Sequence, residues 1–156
     1  HCLPWVRDLY CKPLFILLRS EFQAAVHAGW RGTAAEIVGV TVRVMQEHFG
    51  CDPQRVVAAI GPSIGKCCFE VGEEVARVFQ QLFPGNQAIV GLGKQPGKYQ
   101  VDLWEANRKE LLACGVKNEN IEVAGMCSVC HPDLFFSYRR EGEKAGRFGA
   151  GIGMKS

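Results

Sequence analysis

Histidine is scarce in this chain of 156 residues, which contains only four. A cluster of several copper ions held mainly by imidazole needs more histidines, so the composition excludes a site of that kind. Long apolar runs are missing as well. The longest run, residues 14–18, is far shorter than the roughly 20 residues that a membrane-spanning helix requires. The formal net charge is only +2, which does not favour a nucleic-acid or membrane-surface partner.

The first residues lack the basic flank, apolar core and small-residue cleavage site of a secretory signal peptide. We therefore expect a cytoplasmic protein, although a secreted form with its signal removed has the same appearance at this end. Cysteine, in contrast, is abundant, with eight residues. In a reducing compartment such residues are more often metal ligands, nucleophiles or buried thiols than disulfides.

Composition and patterning predict a single α+β domain, without repeats or low-complexity linkers. Buried strands are expected over residues 14–18, 22–26 and 56–60 and within 119–127, and the tail over residues 134–155 is expected to form the last strands. A capping box from Thr33 to Glu36 is expected to open the first helix, which ends at Gly50. The residues expected on its buried face are Ile37, Val38, Thr41, Val44, Met45 and His48.

Other local signals mark shorter elements. Asp52 and Pro53 predict a helical turn with an aspartate cap, and Asp102 predicts the start of a helix that ends at Gly115. A second amphipathic helix is closed by Pro84, and residues 86–98 are expected to form an exposed loop or hairpin.

The segment His27-Ala28-Gly29-Trp30-Arg31-Gly32-Thr33 follows the second predicted strand. A histidine at the end of a buried strand can present its ring to a ligand. Free amides at a helix start, together with Arg31, suit an anion such as phosphate. The alternative is a histidine hydrogen-bonded within the core, with glycines that serve only the turn.

Cys11 precedes the first predicted strand, as His27 ends the second. If the two strands pair, both side chains lie at the same end of the sheet. A thiolate and an imidazole together bind zinc or copper(I), or the imidazole acts as a base toward the thiol. Simple burial of Cys11 is the alternative.

Cys127-Ser128-Val129-Cys130-His131 matches the C-x-x-C-H pattern of c-type haem attachment. We exclude haem because its attachment goes with export, and because the iron needs a second axial ligand on a helical scaffold. The motif also resembles half of a zinc knuckle, which needs a second pair of ligands at short spacing. Cys67 and Cys68 do not fit this requirement, because they are adjacent rather than spaced as C-x-x-C. The residues expected to be structural thiols are Cys51, Cys114, Cys127 and Cys130.

Three arginines, Arg139, Arg140 and Arg147, lie among aromatic residues near the C-terminus. Arginine binds phosphate or carboxylate with two hydrogen bonds, and aromatic rings stack on a base or sugar. The alternative is a solvated strand face with paired charges. Because a single acid, Glu141, adjoins these arginines, we expect at least one of them to be available for a ligand.

Taken together, three ordered motifs resemble the laccase-domain family, whose members are known as polyphenol oxidases and as purine nucleoside phosphorylases. The motifs are HAGWRGT at 27–33, GPSIGKCCFEV at 61–71, and DLFFSYRREG at 133–142 followed by Gly146-Arg147. The resemblance implies an α+β fold of mixed β-sheets flanked by helices, similar to the catalytic domain of cytotoxic necrotizing factors. It also implies a zinc site of one cysteine and two histidines. The implied reactions are phosphorolysis of adenosine, inosine, guanosine and methylthioadenosine, and deamination of adenosine.

Residue by residue, His27 matches the family's histidine ligand after the strand. The cysteine ligand belongs to an Asp-Cys-x-Pro pattern; Cys2 matches its residues, whereas Cys11 fits its spacing, and we choose Cys11. The resemblance thus implies Cys11 and His27 as metal ligands and, with Arg31, as catalytic residues. For the substrates it implies that phosphate is held by Arg31 and Thr33 and the nucleoside by Arg139 and Arg147.

The resemblance also concerns the extent of the chain. Family members carry an additional N-terminal segment with the first histidine ligand, so we expect residues 1–156 to form a single laccase-type domain without that segment. The implied partners are purine nucleosides and phosphate, with no nucleic acid and no membrane, in a monomer or homodimer. Two alternatives stay open: a copper-dependent polyphenol oxidase, and a non-catalytic fragment with an incomplete metal site.

Overall fold

A computed structural model describes residues 15–152, with side chains described from Leu18 onward. Within this part of the chain, strands alternate with helices and short 3-10 turns. The strands are β1 (Phe15–Arg19), β2 (Gln23–His27), β3 (Val57–Ile60), β4 (Glu70–Val71), β5 (Val90–Leu92), β6 (Tyr99–Val101) and β7 (Ile121–Val123). The helices are α1 (Trp30–Ala34), α2 (Ile37–Phe49), α3 (Glu73–Leu82), α4 (Leu103–Ala113) and α5 (Tyr138–Glu141).

The strands form two sheets, which confirms the predicted mixed α+β fold. One sheet has the order β2-β1-β3-β7, and the other is an antiparallel sheet with the order β4-β6-β5. In the larger sheet β1 is antiparallel to both β2 and β3, whereas β3 and β7 run parallel, with Ile60 opposite Val123. Because parallel strands leave a sheet at the same end, the loops that follow β3 and β7 are brought side by side.

The local signals at several element ends are confirmed. The Asp52 carboxylate accepts a hydrogen bond from the Gln54 amide, and the Asp102 carboxylate accepts one from the Glu105 amide. Gly50 ends α2 with a φ of 66°, a left-handed conformation that glycine adopts without strain. The predicted hairpin within residues 86–98 becomes part of the small sheet, because β5 pairs with β6.

The core lies between the larger sheet and the helices that pack on it. Fully buried side chains come from β1, α2, β3 and α3, and Leu18, Val38, Ile60 and Phe79 are at most 1% exposed. None of the helices in residues 15–152 has the length and apolar character that a membrane span needs.

Three details of the predicted elements are wrong. The helix does not open with a capping box at Thr33, because α1 already begins at Trp30 and Glu36 adopts a left-handed φ of 52° that separates α1 from α2. On α2, Val42 is buried and Val44 is 40% exposed, so the buried face is rotated from the predicted one. The tail over residues 134–152 contains α5 and a 3-10 turn (Gly142–Lys144) instead of strands.

Candidate functional site

His27 closes β2 at the end of the sheet where β1 begins. Phe15 lies opposite His27 in the antiparallel register, so the two strands do pair as neighbours. The imidazole is half-buried, and burial lowers the pKa of His27 below its ordinary value of 6.5. The neutral ring is therefore favoured, and this is the form that binds a metal ion or accepts a proton. Cys11 and Cys2 lie outside the described residues, so the choice between them stays a prediction.

Thr33 holds the turn after His27 from the inside. Its hydroxyl donates to the Ala28 carbonyl at 3.0 Å and accepts from the Asn107 side-chain amide at 2.9 Å. Its backbone amide donates to the Gly29 carbonyl at 2.8 Å, and its side chain is fully buried. Thr33 thus sets the path of the turn, and a direct contact between Thr33 and substrate stays a prediction.

An open pocket of about 550 Å³ lies beside this turn. Four stretches of chain form its walls: the turn after β2, the loop from β3 through the start of α3, the first residue of α4, and the beginning of α5. Its lining residues are Gly29, Trp30, Arg31, Ser63, Ile64, Phe69, Glu70, Val71, Gly72, Glu74, Val75, Leu103, Tyr138 and Arg139. The pocket thus combines apolar and aromatic walls with charged groups, as sites for small ligands with rings do.

Two of the predicted arginines meet in this pocket. The guanidinium of Arg31 lies over the Trp30 ring at 4.5 Å from the centroid. That of Arg139 donates to the Glu70 carbonyl at 3.0 Å and lies 5.7 Å from the centroid of the Phe69 ring. These contacts orient both guanidinium groups within one cavity, so an anionic group and a ring can be bound together.

The other two arginines are placed differently. Arg140 donates to the backbone carbonyls of Ser128, Val129 and Phe135, so it ties α5 to the loop that follows β7. Arg140 also pairs with Glu141, the acid that the sequence places beside the arginines. Arg147 is exposed and does not line the pocket, so its contact with nucleoside stays a prediction.

Four cysteines converge at the end of the larger sheet where β3 and β7 end. Cys67 and Cys68 come from the loop after β3, and Cys127 and Cys130 come from the loop after β7. Their sulfur atoms all lie within 4.8 Å of one another, in an arrangement that could hold a metal ion. The Cys130 sulfur is 3.7 Å from that of Cys67 and 3.5 Å from that of Cys68.

Hydrogen bonds between the two loops explain this convergence. A parallel bridge joins Ser63 to Cys127, with the Ser63 amide donating to Met126 and the Ser128 amide donating to Ser63. Gly65 allows the close approach, since a Cβ there would lie 2.9 Å from the Trp104 ring and 3.3 Å from the Cys127 Cβ.

Cys67, Cys68 and Cys127 differ in their pKa values. Burial raises the pKa of Cys127, but backbone amides that donate to its sulfur, first that of Gly65 at 3.3 Å, outweigh burial and bring the value to about 7. Burial, followed by the hydrogen bond with Cys130, raises the pKa of Cys68 to about 11, and burial raises that of Cys67 as well. Amide donors therefore favour a thiolate at Cys127.

Sequence reasoning missed the cluster, although the sequence shows both of its halves, the adjacent pair Cys67 and Cys68 and the C-x-x-C pair Cys127 and Cys130. The sequence analysis expected Cys127 and Cys130 to be structural thiols, and it did not predict that they lie beside Cys67 and Cys68. The signal that pairs the two halves is the parallel neighbourhood of β3 and β7. Sequence spacing does not show it.

Comparisons with known proteins agree with the fold and the motifs. The family described as multi-copper polyphenol oxidoreductase laccase matches residues 8–155. A purine nucleoside phosphorylase of Bacteroides thetaiotaomicron is 49% identical over 143 residues, which are 91% of this chain and 53% of the relative. A protein named adenosine deaminase RL5, from an unknown prokaryotic organism, is 40% identical over 93% of this chain and 55% of its own length.

Among solved structures, YlmD from Geobacillus stearothermophilus superposes with a TM-score of 0.76. It is 37% identical, and the superposition covers 84% of this chain and 50% of that protein. The chain thus spans about half the length of the relatives that it matches.

Proposed function

We propose that this chain acts in zinc-dependent phosphorolysis of purine nucleosides. The premise is its family: the chain belongs to the multi-copper polyphenol oxidoreductase laccase family. Relatives over the same residues are named purine nucleoside phosphorylase and adenosine deaminase. The observation that carries the proposal is the pocket in which Arg31 and Arg139 face apolar and aromatic walls, beside the turn that follows His27.

Each substrate group has a counterpart in this arrangement. Arg31, oriented by the Trp30 ring, is suited to bind inorganic phosphate. Arg139, held by the Glu70 carbonyl, is suited to the ribose side of a nucleoside, and the half-exposed Tyr138 ring, which lines the pocket, offers a surface for the base. Adenosine, inosine, guanosine and methylthioadenosine share the purine and sugar that such a pocket recognises.

The proposed metal ligands are Cys11 and His27. His27 fits this role in the structure, because its half-buried ring favours the neutral form that coordinates zinc. When bound, zinc would supply a Lewis acid, or a water of lowered pKa for deamination of adenosine. Thr33 positions the turn that carries His27 and Arg31, and Arg147 is proposed to complete the nucleoside side.

The direct test is incubation of the purified, zinc-loaded protein with inosine and phosphate. We expect hypoxanthine and ribose 1-phosphate in equal amounts, measured by chromatography, because phosphate attacks C1′ of the sugar as the base leaves. Omission of phosphate is the control and should stop the release. Absence of hypoxanthine from a folded, zinc-loaded sample would overturn the proposal and favour a non-catalytic fragment.

The two pocket arginines should affect the two substrates differently. We expect Arg31→Ala to raise the KM for phosphate by roughly 10- to 100-fold, the loss of one charge-assisted interaction, with a smaller effect on inosine. Arg139→Ala should instead raise the KM for inosine more than the KM for phosphate. Steady-state kinetics with each substrate varied in turn measures both effects. Arg77→Ala, at an exposed arginine that pairs with Glu73, is the matched control. Equal effects of both pocket variants on both substrates would contradict the assignment.

A copper-dependent polyphenol oxidase is the second candidate, favoured by the description of the matching family. With four histidines in the whole chain, such an oxidase would need a small copper site rather than a histidine-rich cluster. Loading with copper and measuring oxygen uptake with a phenol separates the two functions. Phenol turnover that requires copper, without hypoxanthine release from the zinc form, would favour the oxidase.

A further inference from the structure

Cys67, Cys68, Cys127 and Cys130 form a compact sulfur cluster, and its spacing identifies a class of ligand. In a disulfide the two sulfur atoms are about 2.05 Å apart. Around a tetrahedral zinc with Zn–S bonds of about 2.3 Å, neighbouring sulfurs are about 3.8 Å apart. The separations of 3.5 Å and 3.7 Å are close to this value, and every other pair of sulfurs lies within 4.8 Å, so the spacing favours a tetrahedral metal over a disulfide.

We propose that these four cysteines bind one zinc ion as a structural site, separate from the metal proposed at His27. The four sulfurs leave no position for water on a tetrahedral ion, which is the arrangement of structural rather than catalytic zinc. On binding, the thiols that are still protonated lose their protons, and four Zn–S bonds form without any change in oxidation state.

Surrounding backbone groups support the site. The Gly65 amide donates to the Cys127 sulfur at 3.3 Å, and the amides of Val129 and Cys130 also face that sulfur. Such donors orient a sulfur ligand and offset its negative charge. On the other side of this loop, the His131 ring nitrogen Nδ1 lies 2.9 Å from the Cys127 carbonyl, which fixes the turn.

The position of the cluster gives the zinc a mechanical role. Cys67 and Cys68 lie in the same loop as Ser63, Ile64 and Phe69, which line the pocket. Cys127 and Cys130 lie in the loop that Arg140 ties to α5, the helix of Tyr138 and Arg139. One ion would therefore fasten two walls of the pocket to each other.

The experiment replaces zinc by cobalt in the purified protein and records its absorption spectrum. Four thiolates on tetrahedral cobalt give strong near-ultraviolet charge-transfer bands and intense visible bands. We expect the full bands in the wild-type protein and in His27→Ala, and weaker, shifted bands in Cys67→Ser and Cys130→Ser, because each of these two variants lacks one of the four thiolates. Cys114→Ser, at a half-buried free cysteine outside the cluster, is the matched control and should keep the full bands.

The wild-type protein provides a second measurement that does not depend on the folding of a variant. In the wild-type protein a mercurial should release two zinc ions per chain, one from the four-cysteine cluster and one from the site proposed at Cys11 and His27, whereas His27→Ala should release only the first. Removal of zinc by a chelator should lower the thermal unfolding midpoint by roughly 10 °C, and added zinc should restore it.

A disulfide between Cys130 and Cys67 or Cys68 in the purified protein, or cobalt bands lost in His27→Ala and kept unchanged in Cys67→Ser, would overturn the proposal. Loss of phosphorolysis alone would not, since the spectrum and the zinc content do not depend on that activity.

Discussion

Replacement of His27 by alanine is expected to reduce phosphorolysis of inosine by more than about 100-fold, because losing a metal ligand costs more than the roughly 10- to 100-fold loss on removing one of a ligand's outer partners. His27 is half-buried at the end of β2, and burial favours its neutral ring. Alanine removes the nitrogen donors while the strand that carries them stays paired with β1. Initial rates of hypoxanthine release at saturating phosphate measure the effect.

His48→Ala is the matched control, because His48 is an exposed histidine in the last turn of α2. It should leave the rate unchanged. Circular dichroism of both variants shows whether they fold, and a folded His27→Ala protein with the wild-type rate would remove His27 from the proposed site.

Glu110→Gln is expected to change the free energy of unfolding differently at pH 8 and at pH 5. The difference between variant and wild type should be about 3 kcal/mol more favourable to the variant at pH 8 than at pH 5. Glu110 lies on α4 and is 6% exposed. Burial, followed by the charge of Glu36, raises the pKa of Glu110 to about 8, although the Gly39 amide opposes the rise. A carboxyl group with a raised pKa is protonated in the folded protein when the unfolded chain has already lost that proton.

The direction of the pH effect follows from proton counts. Between pH 4.5 and about 8 the folded protein holds a proton on Glu110 that the unfolded chain releases. The free energy of unfolding therefore decreases as the pH rises through this interval, and the full cost is present above it. Glutamine does not titrate, so the variant should lack this part of the decrease.

Urea unfolding at pH 5 and pH 8 measures the difference between the wild type and the variant. Glu47→Gln, at an exposed position on α2, should keep the wild-type pH dependence. An identical slope in Glu110→Gln and wild type would show that the carboxyl of Glu110 is ionised in the folded protein.

Prediction from the sequence succeeded where structure depends on neighbouring residues. The strands over residues 14–18 and 22–26 are β1 and β2 with a shift of one residue, because apolar runs and a polar break between them are local signals. Asp52 and Asp102 cap the helical turns that follow them, as their side chains can reach only nearby amides. The family and the mixed fold followed from three motifs that retain their order.

Prediction failed where a long-range contact competes with a local one. Thr33 is followed by Glu36 in the spacing of a capping box, but its hydroxyl bonds to Ala28 and Asn107 inside the protein. Glycines and aromatics of the tail suggested strands, whereas Arg140 anchors a short helix to three backbone carbonyls in the preceding residues. Such partners are not visible in a local pattern.

The sequence by itself determined the family, the order of most elements, and the placement of His27 at the end of a strand beside a glycine turn. Only the tertiary structure decided which side chains meet. Arg31 and Arg139 share a pocket although they lie far apart in the sequence, and Cys67 and Cys68 reach Cys127 and Cys130. The physical reason is the parallel pairing of β3 and β7, which places the loops after both strands at one end of the sheet. Residue spacing records neighbours along the chain, whereas a four-sulfur site depends on neighbours across it.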